Sequence, residues 1–179
     1  MRKLDGKIAL VTGASKGIGA GIALSLAKEG AVVAVNYASD RNGADRVVEK
    51  IKAAGGKAIA VQGSVTSSEE IDRFFSETEK QLGNVDVLVN NAGVFAYLPL
   101  QDVNEKEFHR QFDTNVLGLL LTSKRAAMQF GEKGGCIINI GSVASTLTPP
   151  ASSIYAATKS AVDGITRVLA KNLDRGTSA

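Results

Sequence analysis

The chain of 179 residues has one cysteine, one histidine and no tryptophan, and these scarcities remove whole classes of chemistry. Cys136 cannot close an internal disulfide by itself, and no Cys/His spacing suits zinc, so no metal site is expected. Within "GGCIINI" Cys136 reads as a small buried strand residue. His109, in "EKEFHRQF", would have to carry a histidine-based triad alone, and a partly exposed helix position is the expectation. Charge of one sign is also missing. The net charge is +3, with Lys16, Lys50, Lys57, Lys80, Lys124 and Lys159 dispersed among acids, which leaves no stripe for nucleic acid. The apolar run "IALV" near the start is too short for a signal-peptide core or a membrane span. A cytoplasmic protein with no membrane or nucleic-acid partner is expected.

What is present is ordinary globular composition, 44% hydrophobic and 22% charged, enough for one domain with a sizeable core. Apolar runs alternate with amphipathic stretches. "KIALVT", "AVVAVNY", "KAIAVQ", "VDVLVNNAG" and "GCIINIGS" read as strands. Helices are expected over "ASKGIGAGIALSLAKEG", "NGADRVVEKIKAAGG", "SSEEIDRFFSETEKQLG", Glu105 to Phe130 and Ser152 to Leu173. The strands are continuously apolar, so both faces are covered. Right-handed crossovers then give an α/β fold with a doubly wound, Rossmann-type parallel sheet over residues 1–179, with no repeat or linker.

In such sheets ligands sit beyond the carboxyl ends of the strands. "VTGASKGIGAG" lies there, with Gly13, Gly17 and Gly19 in a G-x3-G-x-G spacing. This is neither the G-x-G-x-x-G fingerprint nor a P-loop, yet glycines opening a helix let a pyrophosphate approach its free N–H groups. A tight turn without a ligand is the plain alternative. After the second strand, an acid would favour NAD by accepting ribose hydrogen bonds. Asn36 stands there instead, while Lys16 and Arg41 could meet a 2′-phosphate. NADP(H) is the preferred cofactor and NAD(H) stays open. Tyr155 and Lys159 lie one helical turn apart, on one face. A tyrosine phenol titrates near 10 in water, and a neighbouring cation lowers that value; an exposed i, i+4 pair is the alternative.

Taken together, "TGASKGIG" (12 to 19), "NNAG" (90 to 93), Asn115, Ser142 and "YAATK" (155 to 159) resemble the short-chain dehydrogenase/reductase family, in order and in spacing, from about Gly6 to Leu173. In style the chain is similar to its 3-oxoacyl-(acyl-carrier-protein) reductase-like and glucose-dehydrogenase-like members. The resemblance implies a hydride transfer between nicotinamide and a ketone or secondary alcohol, such as a 3-oxoacyl-thioester-like or other small carbonyl substrate. It implies Tyr155 as general acid and base, Lys159 as its charge partner and nicotinamide-ribose contact, and Ser142 as the substrate-oxygen contact. Asn115 would hold a water that relays the proton. Cofactor contacts are implied from Gly13, Ser15, Lys16, Gly17, Ile18 and Gly19, from Asn36, from Ser64 and Val65, from Asn91, Ala92 and Gly93, and from Tyr155 and Lys159.

Two departures stand out. "GSV" puts the uncharged Ser64 where the family commonly has an acid. The sequence also stops soon after the last helix, in the polar "DRGTSA", without the family's further strands and lid, so a truncated chain that binds nucleotide with little turnover is expected. The competing readings are a nucleotide-binding module without turnover and a methyl transferase on a similar sheet, the latter leaving Tyr155, Lys159 and Ser142 idle. Phe95, Tyr97, Leu98 and Thr148 to Pro150 are expected at the pocket mouth. A small-residue stripe of Ala157, Ser160, Ala161 and Gly164 points, with the family resemblance, to a homodimer or homotetramer paired through long helices.

Overall fold

The computed structural model describes residues 2–130 and 134–174. The chain alternates strand and helix: β1 Ile8–Val11, α1 Gly17–Lys28, β2 Val32–Tyr37, α2 Arg41–Ala53, β3 Lys57–Gln62, α3 Ser68–Leu82 and β4 Val87–Asn90. Then come α4 Glu105–Phe112, α5 Gly118–Ala127, β5 Cys136–Asn139, a short α6 Ala144–Leu147 and α7 Ser153–Asp174. The helices start where the sequence supplies caps. Asp40 accepts from the Gly43 N–H at 2.9 Å, Ser67 from Glu70 at 3.2 Å and Asn104 from Glu107 at 3.0 Å, each meeting a donor the helix leaves unpaired.

The strands form one sheet in the order β3-β2-β1-β4-β5, and the registers of β1 with β2 and β4, and of β2 with β3, are parallel. Because successive strand residues face opposite sides, Leu10, Ala34, Val61 and Leu88 meet Ile71, Phe74 and Phe75 of α3 and Ala126 of α5 in one core cluster. The alternate residues Ala9, Val11, Val33 and Val35 are equally buried, as are Ala23 and Ala27 of α1 and Val47 and Ile51 of α2. Both faces are therefore covered, and the expected doubly wound parallel sheet is what the chain forms. Phe74 and Phe75 are fully buried; truncating either to alanine would cost about 3–5 kcal/mol.

The chain divides into two compact units. One runs to Ala92 and resumes from Gly118 to Ile138, carrying the sheet; Gly93–Leu117 and the chain from Asn139 onward make the second. Two expectations need correction. The helix expected without interruption from Glu105 to Phe130 is broken by a π-helical turn, Asp113–Leu117, where the Asn115 side chain is held by a partner 21 residues earlier in the chain. The Asn115 amide bonds Val94, and the Thr114 hydroxyl donates to the Arg110 carbonyl at 2.8 Å. Cys136 is exposed rather than buried, since β5 is the outer strand of the sheet and alternates exposed with half-buried residues. The polar ending "RGTSA" lies outside the described residues. Among the described residues no helix is long and apolar enough to cross a membrane, and no group of three metal-capable side chains comes together.

Candidate functional site

Past β1 the chain reverses through the glycine turn, and Gly13 is fixed there from two sides. Its φ is 61°, and a Cβ would stand 2.9 Å from the Ala92 Cα, so both backbone and neighbour require glycine. Its N–H donates to Asn36 Oδ1 at 3.2 Å, and its carbonyl accepts from Asn91 Nδ2 at 3.1 Å. Asn91 Nδ2 also reaches the Thr12 carbonyl at 2.9 Å. The Thr12 hydroxyl accepts from the N–H groups of Asn91 and Ala92, both at 3.0 Å.

Asn36 is only 1% exposed, and its Nδ2 donates to the Val61 and Gly63 carbonyls at 3.3 and 3.0 Å. Asn36 thus points its side chain inward. Its side chain braces the glycine turn against β3. Beyond it Tyr37 is buried, Ala38 and Ser39 are exposed, and the Asp40 carboxylate caps α2.

The start of α1 fits an anion. Lys16, its N-cap, makes no side-chain cap, and no acid occupies the first turn, so the helix end keeps its positive dipole and free N–H groups. Lys16, Gly17 and Ile18 are exposed. At Gly17, with φ 57°, nothing lies within 4 Å of the place a Cβ would take. Gly19 is buried, and a Cβ there would stand 2.7 Å from the Gly13 carbonyl oxygen. Ser15 runs close to α2: a Cβ on Gly43 would be 2.7 Å from the Ser15 carbonyl oxygen. Arg41 is exposed and ion-paired with Asp45 at 3.4 Å. The Ser64 N–H donates to Glu70 at 2.8 Å and its hydroxyl pairs with that of Thr66 at 2.8 Å, while Val65 is buried against Gly118. Open glycines and an uncapped helix end with no acid in its first turn suit the pyrophosphate of a dinucleotide.

The second unit brings Ser142, Tyr155, Lys159 and Asn115 into its own framework. Lys159 is 7% exposed; its ammonium donates to the Ile140 carbonyl at 2.7 Å and lies 5.9 Å from the Tyr155 ring centre. Burial holds the Lys159 pKa below its ordinary value, with the Asp163 carboxylate opposing that shift. Ser142 Oγ accepts from the Ala144 N–H at 3.2 Å, which leaves its hydroxyl hydrogen for an outside acceptor. Asn115, 2% exposed, accepts from the Val94 N–H at 2.8 Å and donates to the Val94 carbonyl at 2.8 Å and to Thr158 Oγ1 at 3.1 Å. Thr158 in turn donates to the Tyr155 carbonyl at 2.7 Å. A chain of bonds therefore runs from the π turn to the backbone of Tyr155. Gly93, at the start of this unit, is exposed.

The sequence model of short chain dehydrogenases matches residues 7–176. The chain belongs to the short-chain dehydrogenase family. Members of this family use NAD(P)(H), and the dinucleotide-fitting turn agrees with that. An uncharacterized oxidoreductase of Methylorubrum extorquens is 52% identical over 97% of this chain and 69% of its own length. A 3-oxoacyl-(acyl-carrier-protein) reductase of Staphylococcus epidermidis is 42% identical over 93% of this chain and 69% of its own. Among solved structures, the promiscuous reductase LugOII, described as catalysing keto-reduction at C1 in lugdunomycin biosynthesis, superposes with a TM-score of 0.91. It is 36% identical, over 98% of this chain and 75% of that one. The chain spans 63–69% of the length of the relatives it matches.

Sequence reasoning missed Thr12 and Thr158, whose hydroxyls tie the two halves of the family pattern to backbone. Their only signal is position, one residue before Gly13 and one before Lys159. It also missed the fork of Arg110 on Glu107, with Nε at 3.1 and 2.9 Å from the two carboxylate oxygens, for which i, i+3 spacing was the available sign.

Proposed function

We propose that this short-chain dehydrogenase is an NADP(H)-dependent oxidoreductase that interconverts a ketone and a secondary alcohol, with Tyr155 as the acid and base. The observation that carries the reading is Lys159, a lysine buried to 7% exposure beside the half-exposed Tyr155 ring. A buried ammonium is costly unless something nearby uses its charge. One of its N–H groups is held by Ile140, and two remain for a phenolate or a ribose hydroxyl.

In reduction, the Tyr155 hydroxyl gives its proton to the carbonyl oxygen as that oxygen gains charge, and Lys159 stabilises the phenolate left behind. The Ser142 hydroxyl donates to the same oxygen and orients it. Asn115 keeps Tyr155 in place through Thr158, and the proton would return from solvent. When bound, the nicotinamide supplies the hydride in reduction and accepts it in oxidation. Gly13, Ser15, Lys16, Gly17, Ile18 and Gly19 would hold the pyrophosphate and adenosine phosphate, with Ser64, Val65, Asn91, Ala92 and Gly93 beside the adenosine. The preference for NADP(H) rests on Lys16 and Arg41, and on an exit from β2 whose one acid, Asp40, is engaged in a cap. Relatives named as reductases favour a carbonyl substrate. Exposed Ala157 and Ser160 on α7, with open space over Gly164, support pairing of two copies through that helix.

The test is Tyr155→Phe, which keeps the ring and removes the hydroxyl. NADPH binding, followed by nicotinamide fluorescence, should persist while turnover of a ketone falls by about 10⁴. Turnover equal to that of the unaltered chain would refute the mechanism. NADPH binding without any ketone reduction in the unaltered chain would favour a nucleotide-binding module.

A further inference from the structure

The loop that follows β4 exposes aromatic rings on a backbone held at several points. Both backbone groups of Val94 are bonded by Asn115. The Phe95 carbonyl accepts from Arg110 Nη2 at 3.1 Å, and that guanidinium is itself fixed by Glu107 at 2.7 Å. The Leu98 N–H donates to the Ala151 carbonyl at 2.7 Å. Ala151 and Thr148 have φ of 61° and 41°, a left-handed conformation that residues with a Cβ keep only where surrounding contacts impose it.

On this fixed loop Phe95 and Tyr97 are nevertheless 62% and 53% exposed. The Phe95 ring lies 5.9 Å from that of Tyr97 at 71° and 5.8 Å from that of Tyr155 at 56°. Three rings thus run outward from the hydroxyl-bearing residue of the site. Arg110, which holds the Phe95 carbonyl, has its charge matched by Glu107. An exposed ring on a loose loop would mean little. Rings displayed by a pinned loop in contact with Tyr155 form a preorganised apolar and π-rich wall. Any apolar wall gains from covering by a hydrocarbon, but edge and offset ring geometry adds attraction only for a flat aromatic partner.

Building on Tyr155 as the acid and base, we propose that Phe95 and Tyr97 are a stacking wall that selects planar aryl ketones over saturated ketones of the same skeleton. The substrate class is then a fused-ring aromatic ketone whose carbonyl is directed to Tyr155 by the ring lying on Phe95.

1-Tetralone and 1-decalone share one fused two-ring skeleton and differ in aromaticity. Their dissociation constants, measured by ligand-observed NMR on the full chain without cofactor, should differ by about three- to tenfold in favour of the aryl ketone. Phe95→Leu keeps an apolar surface and should reduce that ratio to about one, with 1-decalone unchanged within about twofold. Tyr97→Leu should lower the ratio partway. A matching thermal midpoint in both variants confirms that only exposed rings were changed. Equal affinity for the two ketones, a ratio that survives Phe95→Leu, or no binding of 1-tetralone would each overturn the proposal. Failure of the oxidoreductase reading would show elsewhere, in NADPH titration and in turnover by Tyr155→Phe.

Discussion

Asn36→Asp separates two accounts of the same residue. If position 36 meets the adenosine ribose, an acid there should shift preference toward NADH. The structure dictates a different outcome. One oxygen of the introduced carboxylate could still accept from the Gly13 N–H, but the other would replace a donor that serves the Val61 and Gly63 carbonyls at 3.3 and 3.0 Å. A carboxylate facing two carbonyls at 1% exposure has no partner for its charge. The cheaper escape is to take up a proton, which restores one donor. Holding an aspartic acid neutral at pH 7, about three units above its ordinary pKa, costs about 4 kcal/mol. For a chain of this size that lowers the thermal midpoint by about 10 °C.

The sign with pH is a second signature. The folded pKa of the new carboxyl is raised, so the unfolded state releases its proton first and stability falls as pH rises above about 4. Asn36→Ala loses all three bonds but introduces no titratable group, and its deficit should not depend on pH. Urea denaturation of both variants at about pH 5 and about pH 7.5 measures the difference, and fluorescence titration with NADPH and NADH measures cofactor choice. An Asn36→Asp chain as stable as the unaltered one, with its preference moved to NADH, would refute the reasoning.

Lys16→Ala should weaken NADPH more than NADH, because an exposed cation beside the uncapped α1 start attracts a 2′-phosphate; equal losses in fluorescence titration would sink that assignment. Lys159→Met should lose cofactor affinity and ketone turnover together, and unchanged NADPH affinity would argue against a ribose contact. The same variant tests the burial of Lys159. Its folded pKa lies below the unfolded value of 10.5, so the unfolded chain binds more protons between the two. Stability of the unaltered chain should therefore rise, relative to Lys159→Met, as pH climbs through the folded pKa toward about 10; parallel urea midpoints would contradict this. Light scattering at micromolar concentration should give the mass of a dimer or tetramer, and a monomer would confine the α7 stripe to packing within its own chain.

The inner strands were legible because β1, β2 and β4 are runs of Val, Ala, Leu and Ile that a sheet covered on both faces buries, whereas β5 alternates exposed with half-buried residues. The helix starts were legible at Ser67 and at Glu105, whose caps act within three residues, whereas α2 starts at Arg41 behind the Asp40 cap, one residue before the expected Asn42. What escaped the sequence depends on partners far along the chain. In the π turn Asn115 reaches Val94, 21 residues earlier, and "DTNVLG" has the local pattern of an ordinary helix. The role of Asn36 follows from β2 lying between β1 and β3, which sets Gly13 and Gly63 on either side of it. Cys136 became exposed through the order of strands rather than through its own apolar neighbours. At the candidate site, Tyr155 and Lys159 were readable from one helical turn, whereas the burial of Lys159 and its bond to Ile140 required the loop beyond β5.

The bracing of Gly13 also bears on how this turn behaves before any nucleotide arrives. Turns at strand ends ordinarily belong to the least protected part of a protein, opening many times for each global unfolding event. Here the Gly13 amide is closed by a side chain from β2 and its carbonyl by one from the turn after β4, so freeing it means parting elements of the central sheet. Its amide proton should exchange on the timescale of the β1 and β2 amides instead of that of the exposed loops. A nucleotide then meets a surface already ordered, and little of its binding free energy is consumed in freezing backbone.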